Sequence, residues 1–205
     1  SLLAINTKKN DVIILPVINF IASINMANIL QAKIFFCDVD PFSGQMRPED
    51  LMRCIKKHNL KKIKAIITMH NSGAPNYAEE FFKLKKKYNF YIIEDACHAL
   101  GAKYSIKKNL KVGNCKFSDL TTFSFHPVKS ITTGEGGMIT FNNRKFFKKI
   151  SLIRNHGIDR KQSNQKIYNW SYKVVCSGYN FRLNDIQSAL GISQLKKLNN
   201  FIIKR

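Results

Sequence analysis

Lys129 and Asp95 are the residues whose types and surroundings could do chemistry. Thr121 to Phe125 is a short β-branched and aromatic run that reads as a strand. His126-Pro127 ends it, because the proline disfavours continuation of a regular run. Lys129 then falls in a tight turn, followed by Thr132, Thr133 and the cluster Gly134-Glu135-Gly136-Gly137. A lysine fenced in at a strand mouth is held more firmly than one on a helix face. When desolvated, such an amine loses its proton more readily and can attack a carbonyl carbon. The chain has 34 Lys+Arg, so most of its lysines need no explanation beyond solvation. Lys129 differs by its company. Asp95 closes the apolar run Phe90 to Asp95, and a carboxylate there either caps the next helix or serves a site.

An amine that forms a Schiff base, paired with a carboxylate that keeps a pyridine nitrogen protonated, is the arrangement pyridoxal phosphate (PLP) chemistry uses. The carboxylate stabilises the ring's positive charge and raises the nitrogen's pKa, so the ring can accept electrons released at a substrate carbon. Spacing alone leaves this open, since strand-end aspartates and lysines are common in α/β proteins.

The elements that must position these residues alternate. Strands are expected at Asp11 to Leu15, Lys33 to Val39, Lys64 to Met69, Phe90 to Asp95, Thr121 to Phe125 and Gly137 to Phe141. Helices are expected at Phe20 to Gln31, Pro48 to His58, Tyr77 to Tyr88, Lys145 to Arg154 and Asn184 to Leu198, the last with an Asn184/Gln187 capping box. Tyr104 to Val112 reads as a hairpin or loop, and Ser163 to Trp170 as an irregular loop. The order implies an α/β fold with a largely parallel sheet. Ligands of such sheets sit beyond the carboxyl ends of the strands. Pro16 to Phe20, His70 to Pro75, Asp95 to His98 and His126 to Lys129 therefore point at one rim.

Composition narrows the class. No apolar run is long enough to span a bilayer. The opening residues show neither a basic leader nor a small-residue cleavage site, so no signal peptide is expected. Cys37, Cys54, Cys97, Cys115 and Cys176 are odd in number, scattered and without a CxxC pair, which suits a reducing cytoplasm and implies no metal site. The net charge of +21 invites a nucleic-acid reading. The lysines come in short dispersed bursts, without an RNP, zinc-finger or helix-turn-helix pattern, so partners other than nucleic acid or membrane are expected. Some attraction for anionic, phosphorylated ligands follows from the charge.

Six stretches, in order, resemble one family: Asp11 to Met26, Lys64 to Pro75, IIEDACHALGAKY (Ile92 to Tyr104), FSFHPVKSITTGEGGMITFNN (Phe123 to Asn143), RNHGIDR (Arg154 to Arg160) and GYNFRLNDIQSALGISQLKKL (Gly178 to Leu198). They are similar to the DegT/DnrJ/EryC1/StrS family of PLP-dependent sugar aminotransferases.

That resemblance implies a fold type I, aspartate aminotransferase-like domain, with a mixed, mostly parallel seven-stranded sheet flanked by helices. It implies that Lys129 forms the Schiff base and later moves a proton between substrate and cofactor. Asp95 pairs with the pyridine nitrogen, His98 lies near the ring hydroxyl, Ser124 contacts the phosphate and Phe20 stacks on the ring. Asn180 reaches the phosphate of a neighbouring subunit, which implies a homodimer with shared sites. The histidine that replaces the lysine in a dehydrating branch is absent, which favours amino transfer. The wording around Lys129 and Gly178 is close to enzymes that aminate C4 of a UDP-linked 4-keto-6-deoxy amino sugar, with glutamate as donor. Residues 1–182 correspond to the PLP-binding large domain without its N-terminal phosphate-cup segment. Residues 183–205 correspond to the start of a helix leading to a C-terminal small domain beyond these 205 residues. An inactive family relic and a basic nucleic-acid-binding module are the alternative readings.

Overall fold

The structure, a computed structural model, describes residues 1–160 and 170–205. The expected loop at Ser163 to Trp170 therefore lies, apart from Trp170, outside the described residues. Four strands, β1 (Val12–Pro16), β2 (Lys33–Cys37), β3 (Ala65–Met69) and β4 (Tyr91–Asp95), run parallel. β5 (Lys103–Ser105) and β6 (Leu110–Lys111) form a small antiparallel ribbon, the hairpin expected there. β7 (Leu120–Ser124) joins the sheet parallel to β4, and β8 (Gly137–Thr140) returns antiparallel to β7. The sheet order is β2-β1-β3-β4-β7-β8. β9 (Ile158–Asp159) and β10 (Lys173–Val174) make a second antiparallel ribbon.

Where the resemblance implies seven strands in the main sheet, the described residues supply six. The remaining extended pieces are too short to extend it and pair with each other, and β8 pairs with β7 alone among the described residues.

Both faces of the parallel strands are buried, so their sequences are continuous apolar runs. Alternation sorts the side chains. Ile13, Leu15, Ile67, Ile93 and Leu120 enter one core cluster, while Ile14, Ile66 and Ile92 enter the other. Full burial of each such side chain contributes about 1.5–3 kcal/mol.

Helices α1 (Ile21–Ile29), α2 (Pro48–Lys57), α3 (Ala78–Tyr88) and α4 (Arg144–Arg154) cover these faces. α1 is apolar on more than one side: Ala27 is buried, but Ile21 and Ile29 are exposed. α2 opens with Pro48, and Asp50 closes a box on Arg47. α2 and α3 end in Lys56-Lys57 and Lys85-Lys86-Lys87, cations placed against the negative end of the helix dipole. These helices return against the strands. Their lysine-rich ends therefore lie at the rim where the parallel strands begin, together with Lys8-Lys9 before β1 and Lys61-Lys62 before β3.

The expected helix over Asn184 to Leu198 is two. α5 (Asp185–Leu195) carries the Asn184/Gln187 capping box. The chain then turns at Lys196 and Lys197 into α6 (Leu198–Lys204). The break lets Leu198 and Phe201 pack on a third cluster made by Ala96, Ala99, Phe123, Phe125 and Ile131.

Candidate active site

The carboxyl ends of β1, β3, β4 and β7 meet at one rim, and their loops are pressed together there. A Cβ on Gly44 would lie 3.0 Å from Asn71 Nδ2 and 3.6 Å from Ile18 Cδ1. A Cβ on Gly73 would lie 2.9 Å from the carbonyl oxygen of His98. Gly73 also has φ +85°, a left-handed conformation natural to glycine. The loops after β1, β2, β3 and β4 thus form one continuous lip.

Asp95 is the last residue of β4 and is buried. Its Oδ1 accepts the Cys97 N–H at 3.1 Å. Asp95 is in register with Thr122 of β7. Ser124, two residues on, therefore shares the same sheet face. The Ser124 hydroxyl accepts the His126 N–H at 3.3 Å.

Lys129 is half-buried in the turn between β7 and β8. Three constraints hold it. Its N–H donates to the His126 carbonyl at 2.9 Å, Phe125 and Thr133 pair at the turn's base at 3.0 Å, and Arg205 Nη2 donates to the Lys129 carbonyl at 2.9 Å. The same nitrogen lies 3.3 Å from the Val128 carbonyl. Arg205 belongs to the segment that the α5/α6 break delivers to this place.

Electrostatics join the two ends. His98 is exposed at the rim, yet its imidazole is held below the ordinary histidine value. Partial burial is the main cause, the Lys129 charge adds to it, and Asp95 opposes it. The Cys97 thiol is pushed up to about 12, chiefly by burial and then by Asp95, with Lys129 opposing. Both groups feel Lys129 and Asp95 at once. The segments that carry Asp95, His98 and Lys129 thus leave adjacent parallel strands, β4 and β7, at the same rim, where Ser124 ends β7.

Phe20 caps α1 in the same lip and is 67% exposed, presenting a bare ring where a core aromatic would be hidden. Asn180 stands farther out. It bridges to Asn155 after α4, is exposed, and makes no hydrogen bond to the other candidates among the described residues. Its neighbourhood touches the lysine turn at the glycine cluster, where Gln187 Nε2 donates to the Glu135 carbonyl at 2.9 Å.

One group escapes sequence reasoning. Behind Asp95, on the opposite face of β4, the buried Glu94 carboxylate accepts hydroxyls from Tyr104 (2.7 and 2.6 Å), Ser118 (2.8 Å) and Thr121 (2.7 Å). His70 Nε2 lies 3.2 Å from Oε1, near enough to favour the charge but not aligned for a full hydrogen bond. Burial alone would raise the Glu94 pKa, but His70, Tyr104 and Thr121 outweigh it and hold the group below the ordinary glutamate range. Burial and the Glu94 charge push the Tyr104 phenol up.

A half-buried lysine, a buried carboxylate and an exposed aromatic ring stand on the loops at one rim of a mostly parallel sheet, on an α/β scaffold. The donor set fits a pyridoxal group: a carboxylate for a ring nitrogen, an amine for its carbonyl carbon, an aromatic for its face. The chain belongs to the DegT/DnrJ/EryC1/StrS aminotransferase family, whose model matches residues 1–205.

Among relatives, it is 40% identical over 197 residues to a Campylobacter jejuni UDP-4-amino-4,6-dideoxy-N-acetyl-beta-L-altrosamine transaminase, covering 96% of this chain and 49% of that one. The Helicobacter pylori structure of PseC, an aminotransferase involved in the biosynthesis of pseudoaminic acid, superposes with a TM-score of 0.83 at 34% identity, covering 97% of this chain and 50% of that one. The Streptococcus pneumoniae protein Spr1654 in its PLP-form superposes with a TM-score of 0.82 at 25% identity, covering 97% and 52%. The α/β fold expected from the resemblance is the fold found. The chain spans about half the length of the curated relatives it matches.

Proposed function

We propose that this chain is the cofactor-holding part of a PLP-dependent aminotransferase that moves an amino group from glutamate to a keto carbon of a nucleotide-linked sugar. The observation that supports the reading is the pairing of β4 with β7, Asp95 in register with Thr122, so that the turn carrying Lys129 leaves the sheet beside the strand end that carries Asp95. When bound, pyridoxal 5'-phosphate supplies an electron sink for the carbon that gains or loses its amine.

The chain's own residues do the rest. Lys129 offers the amine that holds the cofactor and carries a proton to and from the reacting carbon. The Asp95 carboxylate would accept from the ring nitrogen and keep it protonated. His98, predominantly neutral at pH 7 because its pKa is depressed, can share a hydrogen bond with the ring hydroxyl without adding positive charge. Ser124 donates to the phosphate, and Phe20 covers the ring and limits water. Asn180, exposed beyond the lip, reaches the phosphate of a second subunit in a homodimer. In this reading residues 1–182 are the large domain and residues 183–205 lead toward a small one.

The sugar proposed is a UDP-4-keto-6-deoxy-N-acetylhexosamine aminated at C4, en route to a nonulosonic acid of the pseudaminic type for surface polysaccharide. The similarity to the transaminase and to PseC supports it. The setting proposed is the cytoplasm. No helix among the described residues is long and apolar enough to cross a membrane.

The test is direct. The purified protein incubated with pyridoxal phosphate should turn yellow and transfer nitrogen from labelled glutamate to the 4-keto sugar nucleotide. Lys129→Ala should lose both the colour and the transfer. A Lys129→Ala protein as yellow and active as the parent would overturn the reading.

A further inference from the structure

The structure assigns Glu94 as a positioning residue: its buried carboxylate, tied to Tyr104, Ser118 and Thr121, fixes the end of β4 so that Asp95 is presented to the cofactor. The assignment rests on the proposed role of Asp95 and deepens it.

Glu94 and Asp95 are consecutive, so the strand sends them to opposite faces. Glu94 is 1% exposed, Asp95 7%. A one-residue slip of β4 would carry either Asp95 into the hydroxyl nest or Glu94 to the lip, depending on its direction. The nest prevents that. Its donors come from three other places in the chain: Tyr104 from β5, Ser118 from the approach to β7, and Thr121 from β7 itself. His70, at the exit of β3, faces Glu94 from a fourth.

A leucine at this position could fill the space, but it would specify neither register nor rotation. A buried carboxylate can be satisfied only where those hydroxyls converge. The same ties reach Asp95 through the main chain. Thr122 Oγ1 donates to the Glu94 carbonyl at 3.2 Å, and the Ala96 N–H donates to the Thr122 carbonyl at 2.9 Å. The His70 N–H donates to the Asp95 carbonyl at 3.0 Å. The aspartate that would meet the cofactor is therefore held by the nest behind it.

A positioning role differs from a merely stabilising one in its coupling to Asp95. The experiment is a double-mutant cycle read as the dissociation constant of pyridoxal phosphate from the apoprotein, followed by the visible absorbance of the bound cofactor. Thermal unfolding of each apoprotein is recorded alongside. Glu94→Gln should weaken cofactor binding roughly tenfold, as loss of a supporting hydrogen-bond partner does at other sites. In an Asp95→Asn background the same change should cost less than about twofold, because the group it acts through is gone. Tyr104→Phe, which keeps the ring and removes one hydroxyl, should show a smaller loss with the same coupling, and it serves if Glu94→Gln does not fold.

Equal losses in both backgrounds, or parent-like affinity in Glu94→Gln and Tyr104→Phe, would overturn the assignment while leaving the aminotransferase reading intact. An unmutated protein that takes up no pyridoxal phosphate would overturn both.

Discussion

The main-chain N–H of His70 donates to the carbonyl of Asp95 over 3.0 Å. This bond ties the exits of two neighbouring parallel strands at the point where the chain leaves the sheet for the site. The Cβ-free approach of Gly73 to the His98 carbonyl continues the contact outward. The lip is therefore set by main-chain packing before any catalytic side chain is considered, and three expectations follow from how its parts influence each other.

His98 titrates between two opposite charges. Lys129 lowers its pKa and Asp95 raises it, on top of the lowering from burial. Followed by NMR in the cofactor-free protein, its imidazole should titrate below the ordinary value of about 6.5. Lys129→Ala should move the midpoint up, and Asp95→Asn should move it further down. Midpoints that ignore both substitutions would mean that the three side chains do not share a region.

Gly73→Ala should destabilise the protein by about 1–3 kcal/mol, from its left-handed φ and the collision with the His98 carbonyl. A melting temperature several degrees lower is the expected reading. Because the collision pushes on His98, cofactor affinity should fall as well. An unchanged melting temperature would show that the loops after β3 and β4 are not packed as described.

Glu94 makes part of the stability depend on acid. Its folded pKa lies below its unfolded one, so its contribution is present above the ordinary glutamate value and is lost as pH falls through the folded value. At neutral pH, Glu94→Gln should cost about 1–3 kcal/mol, from a disturbed buried hydroxyl nest. Melting temperatures of parent and variant should draw together as pH falls below the ordinary glutamate value, since the parent loses there what the variant never had. Asp40 and Asp50, also held below their ordinary range, keep some acid sensitivity in both proteins. Curves that stay parallel would show Glu94 to be uncharged in the fold.

Much of this arrangement is legible in sequence, for local reasons. The strands around Ile13, Ile66 and Ile92 are short apolar runs closed by polar or turn residues. The lysine turn is marked by Pro127 and the glycine cluster, and the α5 cap by Asn184 and Gln187. The convergence of strand ends follows from the alternation of strands and helices. What escapes is what depends on distant partners. Glu94 looks like one more acid beside Asp95, because its hydroxyl donors lie 10 to 27 residues away, on β5, on β7 and just before β7. The Arg205 hold on Lys129 spans 76 residues. The break between α5 and α6 is equally hidden: Lys196 and Lys197 are good helix formers, and tertiary packing of Leu198 and Phe201 overrides them.

Nine lysines, Lys8, Lys9, Lys56, Lys57, Lys61, Lys62, Lys85, Lys86 and Lys87, gather at the far rim. Anions reaching the end where the parallel strands begin meet these charges a sheet's length from Asp95 and Lys129. The +21 total is therefore a poor guide to how fast a phosphorylated ligand finds the lip. Added salt should strip loosely held anions from the back of the protein before it slows capture at the front.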